Sequence, residues 1–312
     1  MSNTNYEPNS NHLLRLDTRK IPAIKSLIEA LKEIFRDVTI KFTPKSEKIN
    51  ELDSSKNKII GGMYITALNS NSNVLVRLHL EADKFCNYVC NREKITIGVN
   101  MTNFYKIIKF LNNDDELSIT YDARSLNQLN LQYINKHKKL VSNYYLNLLD
   151  LKEENIVIAN QKFDFVITMS SSDFNSLIKN MTIIAEHVDI KFINIGNSYS
   201  LNFSCVGEFA SQESIFNASD NVNIINVMKN EESLENDNNN DTLIIQGLYE
   251  LKALSLFSKC STLCPTIDLY IKNNSPLVIK YNVADMGTVH LILSPIINNS
   301  FEDDTDNDSD NN

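Results

Sequence analysis

Apolar positions in residues 26–42, SLIEALKEIFRDVTIKF, first recur at helical spacing and then alternate. Leu27, Ile28, Leu31, Ile34, Phe35 and Val38 fall three or four apart, the spacing of one helix face. Val38, Ile40 and Phe42 then alternate, as on one face of a strand. Residues 176–192, SLIKNMTIIAEHVDIKF, change period at the same place. There Leu177, Ile178, Met181, Ile184, Ala185 and Val188 have the helical spacing, and Val188, Ile190 and Phe192 alternate. The segments align without a gap, with eight identities in seventeen positions. A helix running into a strand, written twice 150 residues apart, predicts two similar domains in tandem and not a short-period solenoid.

The remaining pattern fills each half. After the unit at 21–42 and a polar insert at 43–58, strands are predicted at 61–68, 73–80 and 95–101. A helix follows at 103–113, then strands at 116–122 and 129–134, and the half closes near 141–149. The second half offers a strand at 163–170, the repeated unit, a strand-rich stretch at 199–209 and a helix at 247–260. Strands at 266–271 and 276–283 follow, with a hairpin over 283–296 turning at Asp285, Met286 and Gly287. Each half therefore reads as two helices among about eight strands, an α+β domain. The boundaries follow: 1–17 a flexible extension, 18–147 the first domain, 148–164 a linker crossing a surface, 165–297 the second domain, and 298–312 an acidic disordered tail.

Composition changes the picture mainly through charge. The 312 residues are 42% hydrophobic, enough to bury two cores. No apolar run reaches the ~18 residues of a membrane helix. The start lacks the layout of a signal peptide, and the five Cys are scattered. A soluble intracellular protein in a reducing compartment is expected. The net charge of −9 is concentrated in two polar segments. Glu302, Asp303, Asp304, Asp306, Asp308 and Asp310 sit in the tail, and Glu231, Glu232, Glu235, Asp237 and Asp241 in 231–241. Setting those eleven aside leaves 28 acids against 30 bases, so the body of the chain is close to neutral.

The bases of interest lie on the four predicted helices. Lys25 and Lys32 are seven apart, with Arg36 a turn later; Lys106 and Lys109 are three apart; Lys179 is alone; Lys252 and Lys259 are seven apart. Positions three, four and seven apart share a helix face. Any amphipathic helix carries Lys on its wet side. Repetition on four helices, without a base-reading signature, points instead to phosphate contacts and salt-sensitive, sequence-independent DNA affinity. The chain has only seven Gly and no Gly-rich phosphate loop, and no GxSxG, HExxH or calcium-loop motif. The pairs Cys86 and Cys90, and Cys260 and Cys264, are four apart and read as ordinary thiols and not as a zinc site. No catalytic constellation, metal site or cofactor is expected.

Three stretches resemble the proliferating cell nuclear antigen family of eukaryotic-type sliding clamps. Residues 73–122 resemble its first domain, 141–174 its linker and the start of its second domain, and 275–296 its C-terminal hairpin, where ADMG (284–287) is the most specific match. The likeness spans roughly residues 21–297. It implies a DNA clamp fold and a closed homotrimeric ring of six similar domains, helices lining the hole and sheets outside. On this resemblance the DNA-facing positions are Lys25, Lys32, Lys106, Lys109, Lys179, Lys252 and Lys259. Two further basic positions of the family are Ser26 and Ser176 here, which implies a less basic hole. The partner-docking groove is carried over to Leu68, Leu75, Ile156, Ile158, Ala159, Pro276, Ile292, Ser294, Pro295 and Ile296. Partners of the family insert a helical turn with one aliphatic and two aromatic anchors. Ile292 stands where relatives usually carry Tyr, and Ala159 where they often carry Pro, which implies altered partner specificity.

The resemblance thus implies a non-enzymatic processivity factor for a DNA polymerase. Its partners would be duplex DNA, the polymerase, a clamp loader and other peptide-motif proteins. It would act in the nucleus, or at a host-cell replication site if a virus encodes it. The ring edges would be strands near Lys139–Asn147 and Phe209–Ser214. A second reading keeps the fold without the ring, as a monomeric or dimeric viral polymerase accessory factor. An enzyme of nucleic-acid metabolism would need a carboxylate cluster or nucleotide loop that the sequence lacks.

Overall fold

The computed structural model describes residues 12–48, 58–152, 156, 163, 165–195, 198–219, 222–223, 226–229 and 242–296. The first half runs β1 (His12–Thr18), α1 (Ile21–Ile34), β2 (Asp37–Lys48), β3 (Lys58–Leu68), β4 (Val74–Glu81), β5 (Asn87–Cys90), β6 (Ile95–Asn100), α2 (Met101–Ile108), β7 (Glu116–Asp122), β8 (Gln128–Asn135) and β9 (Leu140–Asn147). The second runs β10 (Phe165–Ser170), α3 (Ser171–Ile184), β11 (His187–Ile195), β12 (Ser198–Val206), β13 (Ser211–Ser219), β14 (Val222–Asn223), β15 (Asn226–Lys229), β16 (Leu243–Glu250), α4 (Leu251–Ser258), β17 (Thr266–Ile271), β18 (Leu277–Val283) and β19 (Gly287–Leu293).

The predicted repeat is present, each described strand of the first half having a counterpart in the second, where β14 is an extra strand. In the first half β1 pairs with β5 and β7, and β2 with β3 and β6. In the second, β10 pairs with β15 and β17, and β11 with β12 and β16. Likewise β3–β4 and β7–β8–β9 are repeated by β12–β13 and β17–β18–β19. Val38, Ile40 and Phe42, with Val188, Ile190 and Phe192, are buried as their alternation requires.

The halves are joined by one ladder: β19, the last strand, pairs antiparallel with β4. This produces a nine-stranded sheet, β15-β10-β17-β18-β19-β4-β3-β2-β6, flanked by two five-stranded sheets, β5-β1-β7-β8-β9 and β14-β13-β12-β11-β16. Gly287 opens β19 at this junction. A Cβ there would lie 2.0 Å from the His79 carbonyl oxygen on β4, so the close approach of the strands requires glycine. The four helices pack side by side, α1 touching α2 and α4, and α4 touching α3. Local chemistry starts two of them: Asn100 accepts from the Asn103 amide at 2.9 Å before α2, and Ser170 from the Asp173 amide at 3.3 Å before α3. Among the described residues no helix is long and apolar enough to cross a membrane.

Several boundaries differ from expectation. Residues 12–17, expected in a flexible extension, form most of β1, the strand between β5 and β7. Leu14 and Leu16 are fully buried there. The insert at 43–58 begins and ends as strand, since β2 continues to Lys48 and β3 starts at Lys58. The helix expected at 247–260 starts only at Leu251, because Gly247–Glu250 pair with β11. Among the described residues the halves hold nine and ten strands, not about eight. Residues 298–312 and 231–241 lie outside the described residues.

Candidate nucleic-acid interface and partner groove

The helix layer presents five of the seven predicted lysines as exposed side chains: Lys106, Lys109, Lys179, Lys252 and Lys259. The other two are engaged. Lys25 is half-buried and its Nζ donates to the Leu111 carbonyl at 2.9 Å, beyond the end of α2. Lys32 is ion-paired with Glu33 and stands 4.7 Å over the Tyr105 ring. Tyr105 in turn donates its hydroxyl to Glu29 at 2.7 Å. α1 and α2 are therefore laced together by the polar side chains expected to face a ligand.

The lacing brings acids to the same surface, and the lysine count alone misses them. The hydrogen bond from Lys32 holds the Glu33 carboxyl below its usual range, and the charge of Lys259 adds to this across the α1–α4 contact. Bonding to Glu29 pushes the Tyr105 phenol up. With Ser26 and Ser176 also present, the helix surface is only modestly basic, concentrated on α2, α3 and α4.

The face of the nine-stranded sheet away from the helices holds described residues of the expected groove. Strand register puts Tyr270 opposite Val278, Val278 opposite Ile292, Ile292 opposite Leu75 and Leu75 opposite Leu68. These five form one cross-strand apolar row. Their chain neighbours Leu277, Ile279, Leu291, Leu293, Val74 and Val76 are buried on the opposite, helix-facing side. Leu68, Leu75 and Ile292 are thus brought together as expected. Tyr270 and Val278 join them without a signal in the sequence, since alternation gives the two faces of a strand but not its neighbours. Pro276, Ser294, Pro295 and Ile296 border the β18 and β19 end of the row, Ile296 held by its amide to the Leu248 carbonyl at 2.8 Å. Ile156 is half-buried; Ile158 and Ala159 lie outside the described residues.

The linker is anchored where it starts. Leu149 donates its amide to the Gly98 carbonyl at 2.8 Å. A Cβ at Gly98 would lie 2.3 Å from the Leu149 oxygen and 2.8 Å from Leu151 Cγ, so this contact needs glycine. Leu151 and Lys152 then form a cleft of ≈ 280 Å³ with β2 and β3, reaching Leu68.

Among the described residues, two of the strands that leave an edge open are β9 and β13. β9 is paired there with β8 alone, and Leu140, Val141 and Tyr145 are exposed on it. β13 pairs with β12 along its length, but on its other side only Ala218 and Ser219 are matched, by β14. Ile215 is exposed there, with Val206 and Phe209 at the turn before it.

A duplicated α+β unit, with a helix layer on one side of a nine-stranded sheet and an apolar cross-strand row on the other, defines a tandem clamp-fold protein. Profiles of that class match almost end to end: "Proliferating cell nuclear antigen, N-terminal domain" over residues 14–155 and "Proliferating cell nuclear antigen, C-terminal domain" over 157–296. The chain belongs to the proliferating cell nuclear antigen family. It is 28% identical over 287 residues to the "Probable DNA polymerase sliding clamp 1" of Paramecium bursaria Chlorella virus 1, covering 92% of this chain and 98% of that one. It is 28% identical over 312 residues to the "Probable DNA polymerase sliding clamp" of Acanthamoeba polyphaga mimivirus, covering 93% of this chain and 63% of the relative. The crystal structure of Proliferating Cellular Nuclear Antigen from Entamoeba histolytica shares the fold, with a TM-score of 0.74 at 18% identity over 92% of this chain and 100% of that one.

Proposed function

We propose that this protein is a sliding clamp: a non-enzymatic homotrimeric ring that encircles duplex DNA and holds a DNA polymerase, a clamp loader and other peptide-motif proteins at sites of DNA replication. The single observation that carries the ring is the β19–β4 junction. By the internal repeat, β9 is the counterpart of β19 and β13 the counterpart of β4, and both have a bare edge. Pairing β9 of one copy with β13 of the next repeats the junction between chains. Transferring the junction's register sets Leu140 opposite Phe216, Val141 opposite Ile215, Asn143 opposite Glu213 and Leu146 opposite Ala210. Side-chain parity supports this: Val141, Asn143 and Tyr145 are exposed on β9, and Ser211, Glu213 and Ile215 on β13, so the outward faces coincide. Such an edge, unpaired and apolar, otherwise invites aggregation. A head-to-tail contact that closes gives a ring.

Within the ring the helix layer of every domain faces the hole. Lys106, Lys109, Lys179, Lys252 and Lys259 meet phosphates without reading bases. Lys25 and Lys32 act first as struts between α1 and α2. Processivity then comes from topology and not from tight binding, which suits a modestly basic surface. The apolar row receives the helical turn of a partner. The test is retention: the protein assembled around nicked plasmid circles should stay bound in high salt and fall off when the circle is cut. Loss from both forms in high salt would refute encirclement.

A further inference from the structure

Beside the apolar row runs a second cross-strand row of different character. Asp268 stands opposite Lys280, Lys280 opposite His290, His290 opposite Arg77 and Arg77 opposite Thr66. Both rows lie on the outer face, two residues apart along each strand, or about 7 Å. Lys280 is matched, since its Nζ lies 3.1 Å from the Asp268 carboxylate. Asp268 is also held by the Thr168 hydroxyl at 2.8 Å. Arg77 is different. It is exposed, and no hydrogen bond or ion pair engages it among the described residues. It flanks His290, which is half-buried and whose ring is pushed toward the neutral form, by burial first and then by the charges of Lys280 and Arg77. Among the described residues, the strip next to Leu75 and Ile292 therefore carries a cation with no acid paired to it, with a neutral imidazole beside it that can donate or accept.

We infer that the segment docking in the groove carries a carboxylate beside its apolar anchors, which Arg77 receives with His290. This inference rests on the groove being the partner site. The occupant is a short peptide with apolar side chains on the Leu75 and Ile292 row and one Asp or Glu a row away. Charge complementarity selects it: an acid there gains a partner, whereas a Lys or Arg would face Arg77 at close range. A guanidinium matches a carboxylate in planar, two-bond geometry, so the contact adds register as well as attraction. The pair is exposed to solvent, so it discriminates between partners more than it drives binding.

The probes are fluorescent synthetic peptides forming one helical turn with one aliphatic and two aromatic anchors, a single Glu or Gln being walked through the other positions. Binding to the full chain is read by anisotropy at low salt. At one position the Glu peptide should bind about fivefold more tightly than its Gln twin. In Arg77→Glu that ratio should fall to one or below. A variant that merely disturbed the groove would weaken both twins and keep the ratio. Equal binding of the twins at every position, or an unchanged ratio in Arg77→Glu, would overturn the inference while leaving the groove in place. If neither twin bound at any position, the groove reading itself would fall, and the inference with it.

Discussion

Ile292 on β19 stands directly opposite Leu75 on β4, so the centre of the outer apolar row is also the seam between the two halves of the chain. The side chains on the far face of this seam, Leu291, Leu293, Val74 and Val76, are buried against the helix side, whereas Ile292 and Leu75 remain half-open on the outside. The proposed docking and the joining thus use opposite faces of the same strand pair. They should separate by mutation.

Ile292→Arg places a charge on the outer face only. A peptide with aliphatic and aromatic anchors should lose at least about tenfold in affinity, in line with a central interface residue. Ring mass and thermal midpoint should hardly move, because no buried contact is lost. Retained peptide affinity by anisotropy would remove Ile292 from the groove.

Leu78→Ala on β4 is the opposite experiment. Leu78 is fully buried and paired across the seam with Val289. Truncation should cost about 2–5 kcal/mol in urea unfolding. A loss well below that range would mean the seam is less tightly packed than its burial indicates.

Gly98→Ala tests the linker anchor. The added methyl would meet the Leu149 oxygen and Leu151 Cγ, so the linker must lift from β6. Faster hydrogen exchange at Leu149 and Leu151, with weaker peptide binding, is expected. Wild-type exchange at both amides would show that the sheet yields instead.

Replacing Lys106, Lys109 and Lys252 together by Ala should flatten the salt dependence of DNA association by roughly 3 in log–log slope, if each meets one phosphate. Lys25→Ala should act differently. It removes the bond to the Leu111 carbonyl and should lower stability by about 1 kcal/mol. The spacing of the lysines reveals their helix face but not the neighbouring helix. That is why Lys25 and Lys32 cannot be told from the exposed five by sequence.

The same limit governs the rest of the fold. The repeat at 26–42 and 176–192 is legible because a change of period is local. The seam is not, because β19 and β4 are far apart in the chain and alternation specifies no partner. HLLRLDT alternates over only seven residues beside an Asn-rich start, which hides β1 even though it lies inside its sheet. Gly247–Glu250 carry apolar residues at spacings a helix also allows, and pairing with β11 makes them a strand. Arg77 and His290 attract no notice in sequence. Only register sets them side by side next to the groove.

His290 provides a pH test of that outer face. Burial, with Lys280 and Arg77 nearby, lowers its pKa below the ordinary 6.5, and Asp268 opposes this only in part. The unfolded chain then binds the proton first, so stability is unaffected above about pH 6.5 and falls as pH drops below it. In His290→Gln the loss of thermal midpoint between pH 7.5 and 5.5 should shrink. An equal loss in variant and wild type would mean that the imidazole titrates alike in the folded and unfolded chains.

The central claim is that β9 of one copy completes the edge of β13 in the next. The most direct measurement is disulfide cross-linking of one chain carrying both Asn143→Cys and Glu213→Cys, in a background lacking the exposed Cys86. Opposed residues of antiparallel strands lie about 4.5–5.5 Å apart between Cα atoms, within disulfide reach. Oxidation should give a ladder ending in a covalent trimer on a denaturing gel, with neither single mutant passing dimer. A double mutant that stays monomeric when oxidised, or that forms an open series beyond trimer, would contradict the closed ring.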